Sequence, residues 1–210
     1  MGNVKDIDGN SYKTVKIGDQ LWMAENLKVT RYRNGDSIPN ITDADDSITE
    51  EGAYCNYDND ESNVKTYGRL YNWFAVDDKR GLAPKGWHIP TDDEIKELEM
   101  YLGMSQEDAD GSVYRGTDEG SKLAGRADLW NGGDLKVNPE FGTSGFNLLP
   151  GGCRGNPGAY YDMGAYGSFW SSTESNSGYA WHRKLHYFYS EIFQGSYSMK
   201  LGYSIRCLKD

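Results

Sequence analysis

The stretch "PTDDEIKELEMYLG", residues 90–103, fixes both ends of a helix by local chemistry more firmly than any other part of the chain. Thr91 is a good N-cap, and Glu94 three residues later completes a capping box. Asp92 and Asp93 favour the positive end of the helix dipole. Ile95, Leu98 and Leu102 then line one face, and Gly103 ends the helix. A second amphipathic helix is predicted in "YGRLYNWFAV", where Tyr67, Leu70, Tyr71 and Phe74 follow the i, i+3, i+4, i+7 spacing, with a stop near Gly81 and Pro84. The rest reads differently. "SYKTVKIGDQLWM" alternates up to Ile17 and turns at Gly18-Asp19, which predicts a hairpin. Residues 104–140 are polar and glycine-rich, with a short helix expected at "GSKLAG". From Phe141 onward only short strand-like runs occur: "FNLLPGG", "GSFWSST", "YAWHRKLHYFY" and "YSIRCLKD". Two helices set among many short strands predict an α+β fold with two main helices, short antiparallel strands and long loops. No repeat or linker divides the chain, so a single domain over residues 1–210 is expected.

Composition sharpens this picture. With 26 Gly and an unusual 16 Tyr, 6 Trp and 6 Phe, rings that keep one polar tip must supply much of the packing. The net charge of −10, with no offsetting Lys/Arg cluster, repels a nucleic-acid backbone. No apolar run approaches the ~20 residues that span a bilayer, so no membrane insertion of this segment is expected. The N-terminal residues lack the apolar core of a signal peptide. Either the protein stays inside, or such a segment has been removed. Cys55, Cys153 and Cys207 are widely spaced and form no C-x-x-C pair. One disulfide with one free thiol, or three reduced thiols, both suit this pattern.

"HRKLH" decides between a metal site and a row of displayed side chains. On a helix His182 and His186 would be neighbours. On a strand they share a face but stand ~13 Å apart, too far for one zinc ion with ligands at ~2 Å. The alternation of Trp181, Arg183, Leu185 and Tyr187 with His182, Lys184, His186 and Phe188 favours the strand. "FWSSTES" has no G-x-S-x-G elbow around its serines. The acidic residues Asp43, Asp45, Asp46, Glu50 and Glu51 read as a solvated loop. Asp58, Asp60 and Glu61 offer hard oxygen ligands and are the calcium candidates, although the glycine and distal glutamate of an EF-hand loop are missing. Tyr203, Ile205 and Cys207 are expected in the core, Ser204 and Arg206 on the opposite side. Arg206, with five donors, is expected to brace the displayed loop through its carbonyls.

The series "DGNSYKTVKIGDQLWMAENL", "YGRLYNWFAV", "GLAPKGWHIPTDDEIKELEMYL", "SGFNLLPGG", "FWSSTE" and "AWHRKL…GYSIRCLKD", from about Asp6 to Asp210, resembles the Fibrobacter succinogenes major paralogous domain family. The resemblance implies a C-type-lectin-like fold related to formylglycine-generating enzymes, in a family abundant in Bacteroidetes and Fibrobacter as secreted or lipid-anchored surface proteins. Some members resemble variable proteins of diversity-generating retroelements, whose C-terminal stretch is hypermutated to change binding specificity. Ala83 stands where the family pattern usually has cysteine, and Cys153 where an aromatic is common. A family disulfide using the first position is therefore absent, and a Cys153–Cys207 pairing is open. Formylglycine-generating enzymes need two cysteines in the C-terminal region, and residues 154–206 contain none. Related sulfoxide synthases need three histidines, whereas His88 reads as a structural hydrogen-bonding residue. The carbohydrate-recognition triplets of C-type lectins are absent too.

The family pattern places Trp181, Arg183, Leu185 and Tyr187 inside. His182, Lys184, His186 and Phe188 would then face outward, followed by Tyr189, Glu191, Phe193, Gln194, Tyr197 and Met199. Such a mixture of rings and adaptable polar groups resembles a paratope. The expectation is a monomeric, non-catalytic protein without a cofactor, calcium apart, that displays this surface outside the cell to a protein or glycan partner. A degenerate enzyme of the formylglycine-generating superfamily and a fibre or pilus-tip module are the alternatives.

Overall fold

The computed structural model describes residues 2–42 and 50–210. It combines antiparallel sheets with few helices. The predicted hairpin is present: β2 (Ser11–Ile17) pairs with β3 (Gln20–Met23) around Gly18, whose φ of +59° suits a residue without Cβ. β1 (Asn3–Lys5) extends this sheet on one side. On the other, the last strand β13 (Leu208–Lys209) lies between β3 and β6 (Trp87–His88), with Leu208 opposite both Trp22 and His88. The sheet thus ties the two ends of the chain together.

The predicted helix is α3 (Asp92–Tyr101), with both hydrogen bonds of the Thr91–Glu94 capping box formed. Ile95 and Leu98 are fully buried, and Gly103 follows at a φ of +123°. The second main helix is not formed. "YGRLYNWFAV" divides into α1 (Val64–Tyr67), strand β5 (Leu70–Tyr71) and α2 (Trp73–Val76). The break is at Gly68, with φ 76° and ψ −164°. A Cβ there would lie 2.7 Å from Asn26 Cβ and 2.8 Å from the Leu27 carbonyl oxygen, so the backbone approaches too closely for a side chain. β5 instead pairs with β4 (Tyr54–Cys55), and Tyr71 bridges to Tyr203. Local helical spacing here loses to tertiary pairing. Among the described residues the other α-helices are one short turn each: α4 (Gln106–Ala109), α5 (Glu119–Leu123, the predicted "GSKLAG" helix) and α6 (Asp134–Val137).

A hairpin of β8 (Gly151–Arg154) and β9 (Tyr160–Met163) flanks a four-stranded sheet. That sheet orders β10 (Tyr166–Asn176), β11 (Tyr179–His186), β12 (Ile192–Ser198) and β7 (Val113–Arg115), all antiparallel. It stands between two hydrophobic clusters. Phe169, Leu185 and Ile192 face one, with Trp22, Ile95 and Phe146. Trp170 and Ala180 face the other, with Tyr71, Tyr203 and Ile205.

Candidate binding face

β11 runs extended, as the alternation predicts, and its two faces have opposite chemistry. On the inner face Arg183 is fully buried. Its Nη1 donates to Asp92 Oδ1 at 2.7 Å and its Nε to Glu99 Oε1 at 2.7 Å. Asp92 and Glu99 are seven residues apart, two turns along one face of α3. Arg115 on β7 adds an ion pair to Glu99 at 2.9 Å, and Gln194 Nε2 donates to Asp92 at 3.0 Å. Helix α3 is therefore fastened to three strands of the sheet by buried polar and charged groups.

The outer face is covered at one end and open at the other. His182 lies at the covered end and is fully buried. Tyr203 stacks on it at 4.8 Å, Tyr197 meets it edge-on at 4.6 Å, and Trp170 lies 6.1 Å away. His182 Nδ1 is 3.0 Å from the Gly195 carbonyl oxygen. A carbonyl only accepts, so Nδ1 carries the proton and Nε2 is a bare acceptor. Burial pushes the imidazole down to about 3, which keeps it neutral.

Three outward assignments are thereby corrected. His182 is on the outer face but sealed beneath the rings. Gln194 is paired with Arg183 on the inner face and is 4% exposed. Met199 is buried in the cluster of Tyr71, Trp170 and Tyr203, where Trp73 N donates to its carbonyl. Trp181 and Tyr187, expected inside, are half-buried, and so are Glu191, Phe193 and Tyr197. Glu191 sits in the turn that enters β12.

At the open end Lys184, His186 and Phe193 come together with Phe188 and Tyr189, which are 51% and 40% exposed. Two rings missed in the sequence complete it. Tyr114 on β7 lies 5.2 Å from Phe193 and 4.6 Å from Tyr189. Tyr166 on β10 lies 4.7 Å from His186. Tyr166 shares the two-residue alternation of Ser168 and Trp170, a signal that was available. Tyr114 comes from a glycine-rich loop and had none. Gly195 matters to the shape: a Cβ there would lie 2.5 Å from Phe193 and 2.9 Å from Tyr197, so both rings lean over its bare backbone.

Lys184 Nζ is 4.6 Å from the Tyr166 ring centre and 4.2 Å from that of Phe193. It forms no hydrogen bond or ion pair among the described residues. Burial pulls its pKa down, partly countered by the charge of Asp162 on β9. His186 Nδ1 accepts the Phe188 backbone N–H at 3.0 Å. Burial, and then the charge of Lys184, hold its pKa below the ordinary value. The ring is thus neutral near pH 7, with its proton on Nε2 as a free donor. Asp162 has its pKa raised by burial, against the pull of Lys184 and His186.

The other expected sites resolve as follows. Arg206 braces carbonyls, but not those of residues 187–191. It donates to Met23, Phe146 and Asn147 carbonyl oxygens at 2.6–2.9 Å and to Asn26 Oδ1 at 2.7 Å. Ser204 and Arg206 are as buried as Tyr203, Ile205 and Cys207. His88 is a hydrogen-bonding link, with Nδ1 2.9 Å from Asp210 and Nε2 2.9 Å from Glu94. Among the calcium candidates, Asp58 is exposed, Asp60 caps the Ser62 N–H at 2.8 Å, and Glu61 is held by Arg69 at 2.9 Å. No group of three or more metal-ligating side chains occurs among the described residues. Asp43, Asp45 and Asp46 lie outside the described residues, and Glu50 pairs with Lys200 at 3.4 Å. Cys55, Cys153 and Cys207 are free thiols. Burial raises Cys55 to about 11 and Cys153 to about 12, and Cys207 upward as well. None is a thiolate at neutral pH.

No helix among the described residues is long and apolar enough to cross a membrane. No curated protein and no solved structure matches the chain. The sequence model described as the Fibrobacter succinogenes major domain matches residues 15–209. With nearly the whole length matched, the chain belongs to the Fibrobacter succinogenes major domain family.

Proposed function

We propose that the chain is a single, non-catalytic, ligand-binding domain of C-type-lectin-like fold, which presents the open end of its outer sheet face to a macromolecular or glycan partner. The observation that carries this reading is the division of the sheet. The inner face is pinned by buried ion pairs, while the outer face leaves Tyr114, Phe188 and Tyr189 exposed around a lysine that is unpaired among the described residues. Rigid rings on a fixed backbone lose little entropy when a partner covers them. The unreactive thiols and the sealed His182 favour binding over catalysis. Secretion or attachment at the bacterial surface is proposed by analogy with the setting of the family.

The division also suits a surface whose outer residues change while the inner ones hold the strand. If the segment is diversified, the flanking DNA should carry a near-copy of its final codons with substitutions at adenines. Binding itself is tested on an array of glycans and bacterial surface proteins, probed with the wild type and with Phe188→Ala/Tyr189→Ala. Loss of signal, about tenfold or more, is expected for the double variant, as for hot-spot rings elsewhere. Equal binding by both proteins would remove these rings from the site.

A further inference from the structure

We infer that the open end of the outer face is a subsite for an acidic sugar, with Lys184 receiving the carboxylate. The inference rests on the binding reading above and names its ligand class. Lys184 carries it. Its ammonium is half-buried between the faces of Tyr166 and Phe193, at 4.6 and 4.2 Å, and has no oxygen acceptor among the described residues. Ring faces stabilise a cation but cannot accept its hydrogen bonds along the three N–H directions. Every other cation in the sheet differs: Arg183 and Arg115 are matched to Asp92 and Glu99. On a chain of net charge −10, an ammonium on a binding face with no carboxylate in hydrogen-bond contact among the described residues is the group left for an anion from outside.

The surroundings narrow the anion to one that also carries hydroxyls. Beside Lys184, His186 offers Nε2–H as a second donor, because Phe188 N–H already occupies Nδ1. Asp162, within electrostatic reach of both, is an acceptor only. A sulfate or fully ionised phosphate presents acceptors on all sides and has no donor for Asp162 to offset the repulsion between the two anions. A uronic or sialic acid instead places one carboxylate beside several hydroxyl donors, matching a cation and an acid side by side. The exposed ring of Tyr114, beside Phe193, gives the flat C–H face of such a sugar something to lie on. Adding a peptide as a further strand is disfavoured, since the edge strand β7 is three residues long and begins at Val113 with a φ of +70°.

The test is an array of matched pairs: uronic- and sialic-acid glycans, their methyl esters, neutral glycans, and acidic peptides. Four proteins are compared: wild type, Lys184→Met, Lys184→Arg and Tyr114→Ala/Phe193→Ala. The expected result is retention of carboxylate glycans, with a loss of about tenfold on esterification, as for a charge-assisted hydrogen bond. Lys184→Met should lose that preference and Lys184→Arg should keep it, with raised salt weakening the acid but not the ester. Equal affinity for acid and ester, or a preference untouched by Lys184→Met, overturns the inference. Retention of acidic peptides in place of glycans overturns the sugar assignment. Neutral glycans bound by the wild type and lost by Tyr114→Ala/Phe193→Ala would sink the inference while the binding reading stands. No difference between wild type and the ring variant on any spot would sink both.

Discussion

Arg183 and Lys184 are neighbours in sequence, both cationic, and point to opposite faces of one strand. Arg183 is sealed between two carboxylates of α3, and Lys184 rests on two rings with no acid in contact among the described residues. The first arrangement fixes geometry: a guanidinium held at 2.7 Å by two acids cannot shift without stranding charge. The second fixes only a position, leaving the ammonium's hydrogen bonds for another molecule. The inner face therefore holds the strand in register and the outer face is free to present side chains. The same contrast runs along the outer face itself. His182 lies under Tyr203 and Tyr197, whereas His186, four residues on, is half-exposed.

The largest effect is expected on the inner face. Arg183→Met should cost about 3–5 kcal/mol, because it leaves Asp92 and Glu99 buried with fewer partners. Urea denaturation measures it, and a loss below 1 kcal/mol would mean that the buried ions do not anchor the sheet. Next comes the covered histidine. His182 is neutral in the fold down to about pH 3, while in the unfolded chain it titrates near 6.5. The unfolded state thus binds the extra proton in this window. The stability contributed by the neutral ring is complete above pH 6.5 and falls as pH drops toward 3, by up to about 1.4 kcal/mol per pH unit. Replacing it as His182→Phe should flatten that part of the stability–pH curve. An unchanged slope would show that the ring is not sealed. The smallest effect belongs to the open end: Lys184→Met should alter stability by no more than about 1 kcal/mol. A larger loss in urea would make Lys184 a structural cation like Arg183 and erase the contrast.

Much of this was legible in advance. Thr91 and Glu94 announced α3, the alternation around "HRKLH" announced a strand, and Arg183 and Leu185 were placed inside where they are found. The second helix failed because Gly68 packs against Asn26 and Leu27, forty residues earlier. Nothing within "YGRLYNWFAV" registers that contact. Gln194 is expected outward together with its neighbour Phe193, but adjacent residues of a strand face opposite sides, and only the pairing of β12 with β11 decides that Phe193 sits beside Lys184 and Gln194 beside Arg183. Tyr114 escaped for a related reason: its strand is three residues long and is defined by its pairing with β12 rather than by its own sequence.

Capping, turn formation and the two-residue period are properties of near neighbours, so the chain alone set where α3 begins, where β2 turns and which residues of β11 share a face. Which part of that face is covered was decided only by the fold, since Tyr203 reaches His182 and Tyr114 reaches Phe193 across long separations. Alternation names a side of a strand. Burial depends on what distant segment comes to rest upon it.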